Sequence, residues 1–169
     1  NYYWDYLVKN PNSIKNKFAI FAFGRGGSYL FHSLLDGHSK LLHFNKHIDF
    51  FIYKRILREL LGSRLEAPKE ECKKFIKQVV DEEWKNYYNR VSKEIGHQNK
   101  INIKEFEKNI DLICENIFLD KLNLDIIFNI IFIAYGKTHN RPLSTKNPHM
   151  IIQLHTMYNS KKKAFNDLI

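Results

Sequence analysis

The chain has 169 residues and a mass of 20.2 kDa, which corresponds to about one domain with its own hydrophobic core. With 27 Lys and Arg against 18 Asp and Glu, it carries a formal net charge of +9, which favours anionic partners. Its two cysteines, Cys72 and Cys114, exclude a disulfide-dense secreted scaffold and a cysteine-rich zinc site. Both are expected to be buried thiols in helices.

Neither a membrane span nor a signal peptide is apparent in the sequence. The longest apolar stretch, residues 126–135, is only about ten residues long, which is too short to cross a bilayer. The first residues lack the basic and apolar regions of a signal peptide, so a cytoplasmic location is favoured. Because the chain lacks an initiator Met and ends abruptly in an apolar stretch, we expect it to be a fragment of a longer protein, namely an N-terminal one.

The first predicted elements are a strand, a glycine-rich turn and a helix. Residues 18–23 form a short, continuous apolar run, typical of a strand buried on both faces of a parallel sheet. Residues 24–28, Gly-Arg-Gly-Gly-Ser, follow at once. Leucine and phenylalanine then recur at helical spacing until Gly37, which predicts a helix that ends there. A second short strand is predicted at 41–44.

The rest of the chain is predicted to be mostly helical. Helices are expected at 48–61, after Pro68 to about Ile95, from an Asn102 cap to about Leu119, over 122–136 and over 149–158. A loop is expected at 138–148 and a strand from 164 to 169. This order predicts one α/β domain over residues 1–169, with a parallel sheet and a helical insertion at about 48–140.

The glycine-rich turn has the features of an anion-binding loop. A helix N-terminus offers unpaired N–H groups and a positive dipole end, and glycines let the backbone wrap closely around an anion. Arg25 adds a forked cation suited to phosphate, and Ser28 adds a hydroxyl. The spacing fits neither the Walker pattern nor the dinucleotide fingerprint. From the spacing alone, phosphate binding and a tight structural turn remain equal alternatives.

The longer string around this turn resembles the sulfotransferase family, in which a buried strand precedes Arg/Lys-Ser/Gly-Gly-Thr/Ser. Arg25, Gly26, Gly27 and Ser28 match the loop that holds the 5′-phosphosulfate of 3′-phosphoadenosine 5′-phosphosulfate, the family's co-substrate. Tyr29 follows where a second Thr is frequent, which removes one hydroxyl contact. The resemblance implies that these five residues bind the co-substrate. It also implies a three-layer parallel sheet with a P-loop-like strand–loop–helix.

Two further stretches carry the resemblance. Leu35, Asp36 and His38 match the family's helix end, Leu-Asp-x-His-Pro, with Ser39 in place of the proline. Lys146 matches the family's Lys-x-Pro segment, where a lysine lies at the sulfuryl group in some members. In the family, an Arg and a Ser after the next strand hold the 3′-phosphate. With that strand expected at 164–169, the site would be missing from this chain.

The implied activity is sulfuryl transfer from this co-substrate to a hydroxyl or amine, with no metal required. Lys146 would neutralise the sulfuryl oxygens. A general base is needed, and the candidates are His47, Asp49 and His43. His43 and His47 are four residues apart, but no third ligand at a suitable spacing suggests a metal site. The acceptor is open, whether carbohydrate, protein or small alcohol.

Two alternatives to sulfuryl transfer remain open. Another P-loop-like nucleotide binder would need a lysine in the loop, and none is present. A basic helical module that binds nucleic acid would gather Lys and Arg on one helix face. In this chain they are interspersed with Asp and Glu, as at 69–93, so no nucleic-acid partner is expected.

Overall fold

A parallel sheet with flanking helices organises the part of the chain that the computed structural model describes, namely residues 2–23, 34–35, 38–44, 48–91 and 102–156. In chain order the elements are α1 (Tyr2–Lys9), a 3-10 turn (Pro11–Ser13), β1 (Lys17–Phe23), β2 (Leu41–Leu42), α2 (Ile48–Arg55), a π-helix (Ile56–Leu61), β3 (Glu66–Pro68), α3 (Lys69–Val91), α4 (Ile103–Glu115), β4 (Lys121–Asn123), α5 (Leu124–Thr138) and β5 (His149–Thr156). The protein is therefore of the mixed α/β class.

The sheet has three parallel strands in the order β1-β5-β2, so the last strand of the chain lies between the first two. Lys17 is opposite Met150 and Phe23 is opposite Thr156, so β1 and β5 end level with each other. The order differs from the 3-2-1 and 2-1-3 orders of the dinucleotide-binding and flavodoxin-like sheets. The strand predicted at 18–23 is confirmed as β1, and the strand predicted at 41–44 is confirmed only at 41–42; both are parallel to β5.

The predicted helix at 149–158 is wrong, because residues 149–156 form β5. The backbone N–H of His149 donates to the Lys40 carbonyl at 2.9 Å, and that of Met150 to the Asn16 carbonyl at 2.9 Å. A short apolar run fits helix and strand equally well, and here pairing on both sides decides. The strand predicted at 164–169 lies outside the described residues.

The helical middle agrees with prediction except at its boundaries. Asn102 caps α4, since its side chain accepts from the Glu105 N–H at 3.2 Å, but α4 ends at Glu115 rather than near Leu119. The helix expected from Leu122 begins two residues later. Residues 121–123 instead form β4, which pairs antiparallel with β3; neither strand was predicted. The chain beyond Val91, where the predicted helix runs to about Ile95, lies outside the described residues.

Helix α5 lies at the centre of the core. Every residue from Ile126 to Gly136 is buried, as its apolar sequence on all sides requires. Asn129, in the middle of this run, donates from Nδ2 to the Pro11 carbonyl at 2.9 Å. Gly136 packs against the indole of Trp4 from α1, a helix that was not predicted. No described helix is long and apolar enough to cross a membrane.

Candidate functional site

The glycine-rich segment begins where the strands of the sheet have their carboxyl ends, which is called the carboxyl edge below. Phe23 ends β1, and Gly24 to Ser28 follow directly in the sequence. Thr156 ends β5 at the same level of the sheet. In open α/β sheets, ligands bind outside the carboxyl ends of the strands. Arg25, Gly26, Gly27, Ser28 and Tyr29 themselves lie outside the described residues, so their predicted binding role stays a prediction.

Lys146 lies three residues before β5, at the amino end of that strand. The length of β5 therefore separates Lys146 from the carboxyl ends of the strands, a distance of about 23 Å at a rise of about 3.3 Å per residue. Its Nζ lies 5.2 Å from the ring centroid of Tyr2 and 5.0 Å from that of Tyr6. A hydrogen bond with Tyr2 raises the pKa of Lys146 and keeps it cationic. The catalytic role of Lys146 stays a prediction, and its distance from the carboxyl ends of the strands disfavours that role.

His43 is the candidate base whose surroundings are described. It follows β2, is 2 % exposed, and contacts three groups through its two ring nitrogens. Nδ1 lies 3.1 Å from the Phe44 carbonyl oxygen. Nε2 lies 3.0 Å from the carbonyl oxygen of Leu35, and residues 34 and 35 are helical. Nε2 also lies 3.1 Å from Nη1 of Arg141. Because His43 is buried and within hydrogen-bond distance of these groups, it has a structural role and is not an exposed base.

Arg141 lies in the loop after α5, and its side chain and backbone hold several distant parts of the chain together. Its Nη1 donates to the backbone carbonyl of His43 at 3.2 Å, and its guanidinium carbon lies 5.4 Å from the centroid of the Tyr135 ring. Its own carbonyl accepts from Trp4 Nε1 at 2.9 Å. The local sequence, an arginine between Asn140 and Pro142 after a helix, carries no signal for the hydrogen bonds, because His43 and Trp4 lie about a hundred residues or more before it.

The other base candidates have no described side-chain contacts. His47 lies outside the described residues. Asp49 is the second residue of α2, where a carboxylate favours the positive end of the helix dipole, but its side chain is not among those described.

Within the described part of the chain no three His, Cys, Asp or Glu side chains form a group suited to a metal ion. His38 lies at the predicted helix end, where its N–H donates to the Leu35 carbonyl at 3.2 Å.

Both cysteines are buried thiols, as predicted. Cys72 in α3 is fully buried and Cys114 in α4 is 3 % exposed. Burial in apolar surroundings raises the pKa of the Cys72 thiol to about 12 and that of Cys114 to about 11. Since the thiolate is the reactive form, neither cysteine is suited to nucleophilic chemistry.

Several lysines on the long helix α3 are paired with carboxylates rather than gathered into a basic face. Lys73 pairs with Glu70 at 2.7 Å and Lys85 with Asp81 at 2.6 Å, both within the helix. Lys77 pairs with Asp111 of α4 at 2.7 Å. This pattern fits the predicted solvated helix with opposite-charge pairs.

Comparisons with known proteins give no relative from which to transfer a function. No protein-family model, no curated protein and no solved structure matches the chain.

Proposed function

We propose that this protein is a nucleotide-binding domain of the sulfotransferase type, with a P-loop-like, three-layer arrangement around its sheet. The glycine-rich segment after β1 would hold the 5′-phosphosulfate of 3′-phosphoadenosine 5′-phosphosulfate. The observation that carries the proposal is the register: β1 is a strand of a parallel sheet, and the Gly-Arg-Gly-Gly-Ser sequence begins directly at its carboxyl end. That is the edge at which α/β sheets bind anionic ligands.

The position of β5 changes the segment of the chain in which we expect the 3′-phosphate site. In the family, a helix and then a strand follow the Lys-x-Pro segment, and the 3′-phosphate site comes just after that strand. In this chain a strand, β5, follows Pro148 directly, and we take it as the matching strand. The relevant chain then begins after Thr156. It contains Ser160 and the lysines at 161–163 but no arginine. We therefore assign the 3′-phosphate to this lysine run and Ser160, in place of the family's Arg and Ser.

The chemistry that follows is in-line sulfuryl transfer. An acceptor oxygen or nitrogen forms a bond to sulfur while the bond from sulfur to the 5′-phosphate oxygen breaks, and 3′,5′-phosphoadenosine leaves. Arg25 and the amides of residues 26–28 would offset the charge on that leaving oxygen. The acceptor's proton would pass to His47 or Asp49. His43 is buried and held by three contacts, so it is the weakest of the three base candidates.

Titration calorimetry with 3′,5′-phosphoadenosine tests the binding site directly. We expect Arg25→Ala to weaken binding by at least about tenfold, because a charge-assisted contact to phosphate contributes about 1.5–3 kcal/mol. Arg58→Ala is the matched control, since Arg58 is an exposed arginine of the π-helix and its loss removes the same charge. Lys146→Ala should also leave binding unchanged, because Lys146 lies at the opposite edge of the sheet.

A second titration separates the two phosphate sites. Adenosine 5′-phosphate lacks the 3′-phosphate, so the proposal predicts weaker binding of this ligand than of 3′,5′-phosphoadenosine. Replacing the three lysines at 161–163 by alanine should remove that difference and leave adenosine 5′-phosphate binding intact. If the folded protein binds neither nucleotide, or binds both equally well with and without Arg25, the sulfotransferase proposal is wrong.

A further inference from the structure

The amino ends of the three sheet strands bring together lysines that lie far apart in the sequence. Lys15 is two residues before β1, Lys40 is one residue before β2 and Lys146 is three residues before β5. All three residues are exposed. Because the strand order is β1-β5-β2, the strand starts that carry these lysines span about 10 Å, two spacings of about 4.8 Å. The three residues are called the lysine row below.

Backbone hydrogen bonds hold the segments of the lysine row at the same level of the sheet. The N–H of His149 donates to the Lys40 carbonyl at 2.9 Å, and the N–H of Met150 donates to the Asn16 carbonyl at 2.9 Å. The segments before β2 and β1 are therefore bound to consecutive residues of β5, from its two sides. Lys40 and Lys15 thus lie on either side of the segment that carries Lys146.

No counter-charge neutralises the lysine row within the part of the chain that the structure describes. No described carboxylate lies within ion-pair distance of Lys15, Lys40 or Lys146. Asp125 of α5, which reaches the start of β1, is bound to Lys17 at 2.5 Å instead. Adjacent cations without counter-charges produce a positive local potential, which attracts an anionic surface.

Exposed aromatic rings border the lysine row. Phe18, at the start of β1, is 55 % exposed, and its ring centroid lies 5.7 Å from that of His149. Tyr2 of α1 is 64 % exposed, and its ring and that of Tyr6 lie beside the Lys146 ammonium. Since Lys146 and His149 are three residues apart, at most about 11 Å of chain links the two aromatic groups. Cations and apolar rings therefore occupy one continuous surface.

We propose that the amino ends of the sheet strands dock on an anionic membrane surface, with the lysine row at the lipid headgroups and Phe18 and Tyr2 in the interfacial layer. Lysines are attracted to anionic lipids, and aromatic side chains with a wet and an apolar part are enriched at this depth. Such a surface lies on a bilayer and does not span it. The glycine-rich segment begins at the carboxyl edge, so a docked molecule holds that edge away from the membrane.

The aromatic rings favour a membrane over a linear polyanion such as RNA. Single-stranded nucleic acids bind aromatic side chains by stacking their bases on the ring faces. In this protein the Lys146 ammonium already lies 5.2 Å from the ring centroid of Tyr2 and 5.0 Å from that of Tyr6. Insertion among lipid headgroups needs exposed apolar area rather than a free ring face, and Phe18 and Tyr2 supply that area.

Sedimentation with sucrose-loaded vesicles tests this docking without any nucleotide. We expect the protein to bind vesicles of equimolar phosphatidylcholine and phosphatidylserine at low salt, and to bind vesicles of phosphatidylcholine alone much more weakly. Binding to the anionic vesicles should weaken as salt is added, because salt screens the attraction between the lysines and the lipid headgroups. Vesicle binding and nucleotide binding are separate measurements, so the docking and the sulfotransferase proposal can fail separately.

A charge variant with a matched control tests the lysine row. Lys15→Gln combined with Lys40→Gln should lower the vesicle partition coefficient by about thirtyfold, since each lysine near an anionic surface contributes a factor of about five. Lys74→Gln combined with Lys85→Gln removes the same charge from exposed positions of α3. That helix packs on α2, α4 and the β3–β4 ribbon, so this pair should change the coefficient by less than about threefold.

An apolar variant with its own control tests the aromatic rings. Phe18→Ser should lower the partition coefficient by about tenfold, because the half-exposed ring no longer leaves water on docking. Phe118→Ser removes a ring that is 96 % exposed, in the connection between α4 and β4, and should leave the coefficient unchanged. Circular dichroism checks that each variant is folded. Tyr2→Ser takes the place of Phe18→Ser if that variant unfolds.

The docking proposal is wrong if the folded protein does not bind anionic vesicles at low salt, or binds neutral vesicles equally well. It is also wrong if the α3 control pair weakens binding as much as the lysine-row pair. A third result would assign the row to a polyanion instead: single-stranded RNA or heparin binds with the same dependence on Lys15 and Lys40, while Phe18→Ser and Tyr2→Ser leave vesicle binding unchanged.

Discussion

Replacing Gly136 with alanine should destabilise the protein, although alanine is the better helix former. An added Cβ would lie 2.9 Å from Cζ2 and 3.0 Å from Cζ3 of the Trp4 indole, and closer still to Cη2. The indole cannot easily move away, because it is 2 % exposed and its Nε1 donates to the Arg141 carbonyl at 2.9 Å. The methyl group must therefore force a shift between α1 and α5.

The expected loss of unfolding free energy in Gly136→Ala is the difference between two opposing effects. Overpacking a well-filled core costs about 1–3 kcal/mol, and the upper part of that range, about 2–3 kcal/mol, applies here because the buried indole has no room to move. Glycine to alanine inside a helix recovers about 1 kcal/mol of helix propensity. The net loss should be about 1–2 kcal/mol. In urea unfolding followed by circular dichroism, with a slope of about 2 kcal/mol per molar, the midpoint should fall by about 0.5–1 M.

A double-mutant cycle with Trp4→Leu tests the cause of this loss. Without the indole the overpacking disappears, so Gly136→Ala should become neutral or stabilising in the Trp4→Leu background. Gly62→Ala is the control. Gly62 has open space around it but a φ of 58° and a ψ of −115°, which a residue with a Cβ rarely adopts, so its substitution should cost about 1–3 kcal/mol, equally in both backgrounds. A Gly136→Ala variant as stable as the wild type would refute the steric argument.

Three further outcomes can be measured on the same chain. Asn129→Ala should lower the unfolding free energy by about 1–3 kcal/mol, because it leaves the carbonyl of the 3-10 turn buried without its donor. Arg55→Met should lower the free energy of unfolding by about 1–2 kcal/mol in low-salt urea, because Arg55 bridges α2 to carboxylates of the π-helix and α3. Lys85→Met is the control. It removes an exposed ion pair within α3 and should change the free energy of unfolding by less than about 0.5 kcal/mol. Cys72 and Cys114 should resist alkylation at pH 8 until the chain unfolds. Because burial raises both thiol pKa values above that of the unfolded chain, their contribution to stability is complete below about pH 9 and is lost as the pH rises towards 11 and 12.

The sequence predicts those parts of the fold that local chemistry decides. The Asn102 cap was recognised because a side chain that accepts from the third following N–H leaves a short, local pattern. Helix α5 was recognised because a run that is apolar on all sides requires burial. Residues 48–61 were correctly assigned to helix, but their change from α to π geometry has no such pattern.

The sequence fails where distant pairing decides. β5 is a strand because β1 and β2 lie on either side of it, and no window around His149 contains that information. The strand also fixes the position of Lys146, whose catalytic role stays a prediction. A helix after Pro148 would have allowed Lys146 to lie near the ligand, whereas a strand fixes it at the opposite end of the sheet. Arg141 was missed for the same reason, since its contact with His43 exists only once the sheet is assembled.

The position of β5 between its two neighbours has a consequence for synthesis of the chain. β1 and β2 emerge from the ribosome well over a hundred residues before the strand that joins them. Pairing at such sequence separation is slow, because the intervening loop must close first. Helices α3 to α5 and the β3–β4 ribbon make closer contacts along the chain and can form while translation continues. The nascent protein should therefore hold an unpaired, apolar β1 until residue 156 is available, and a chaperone that shields strand edges should raise its yield.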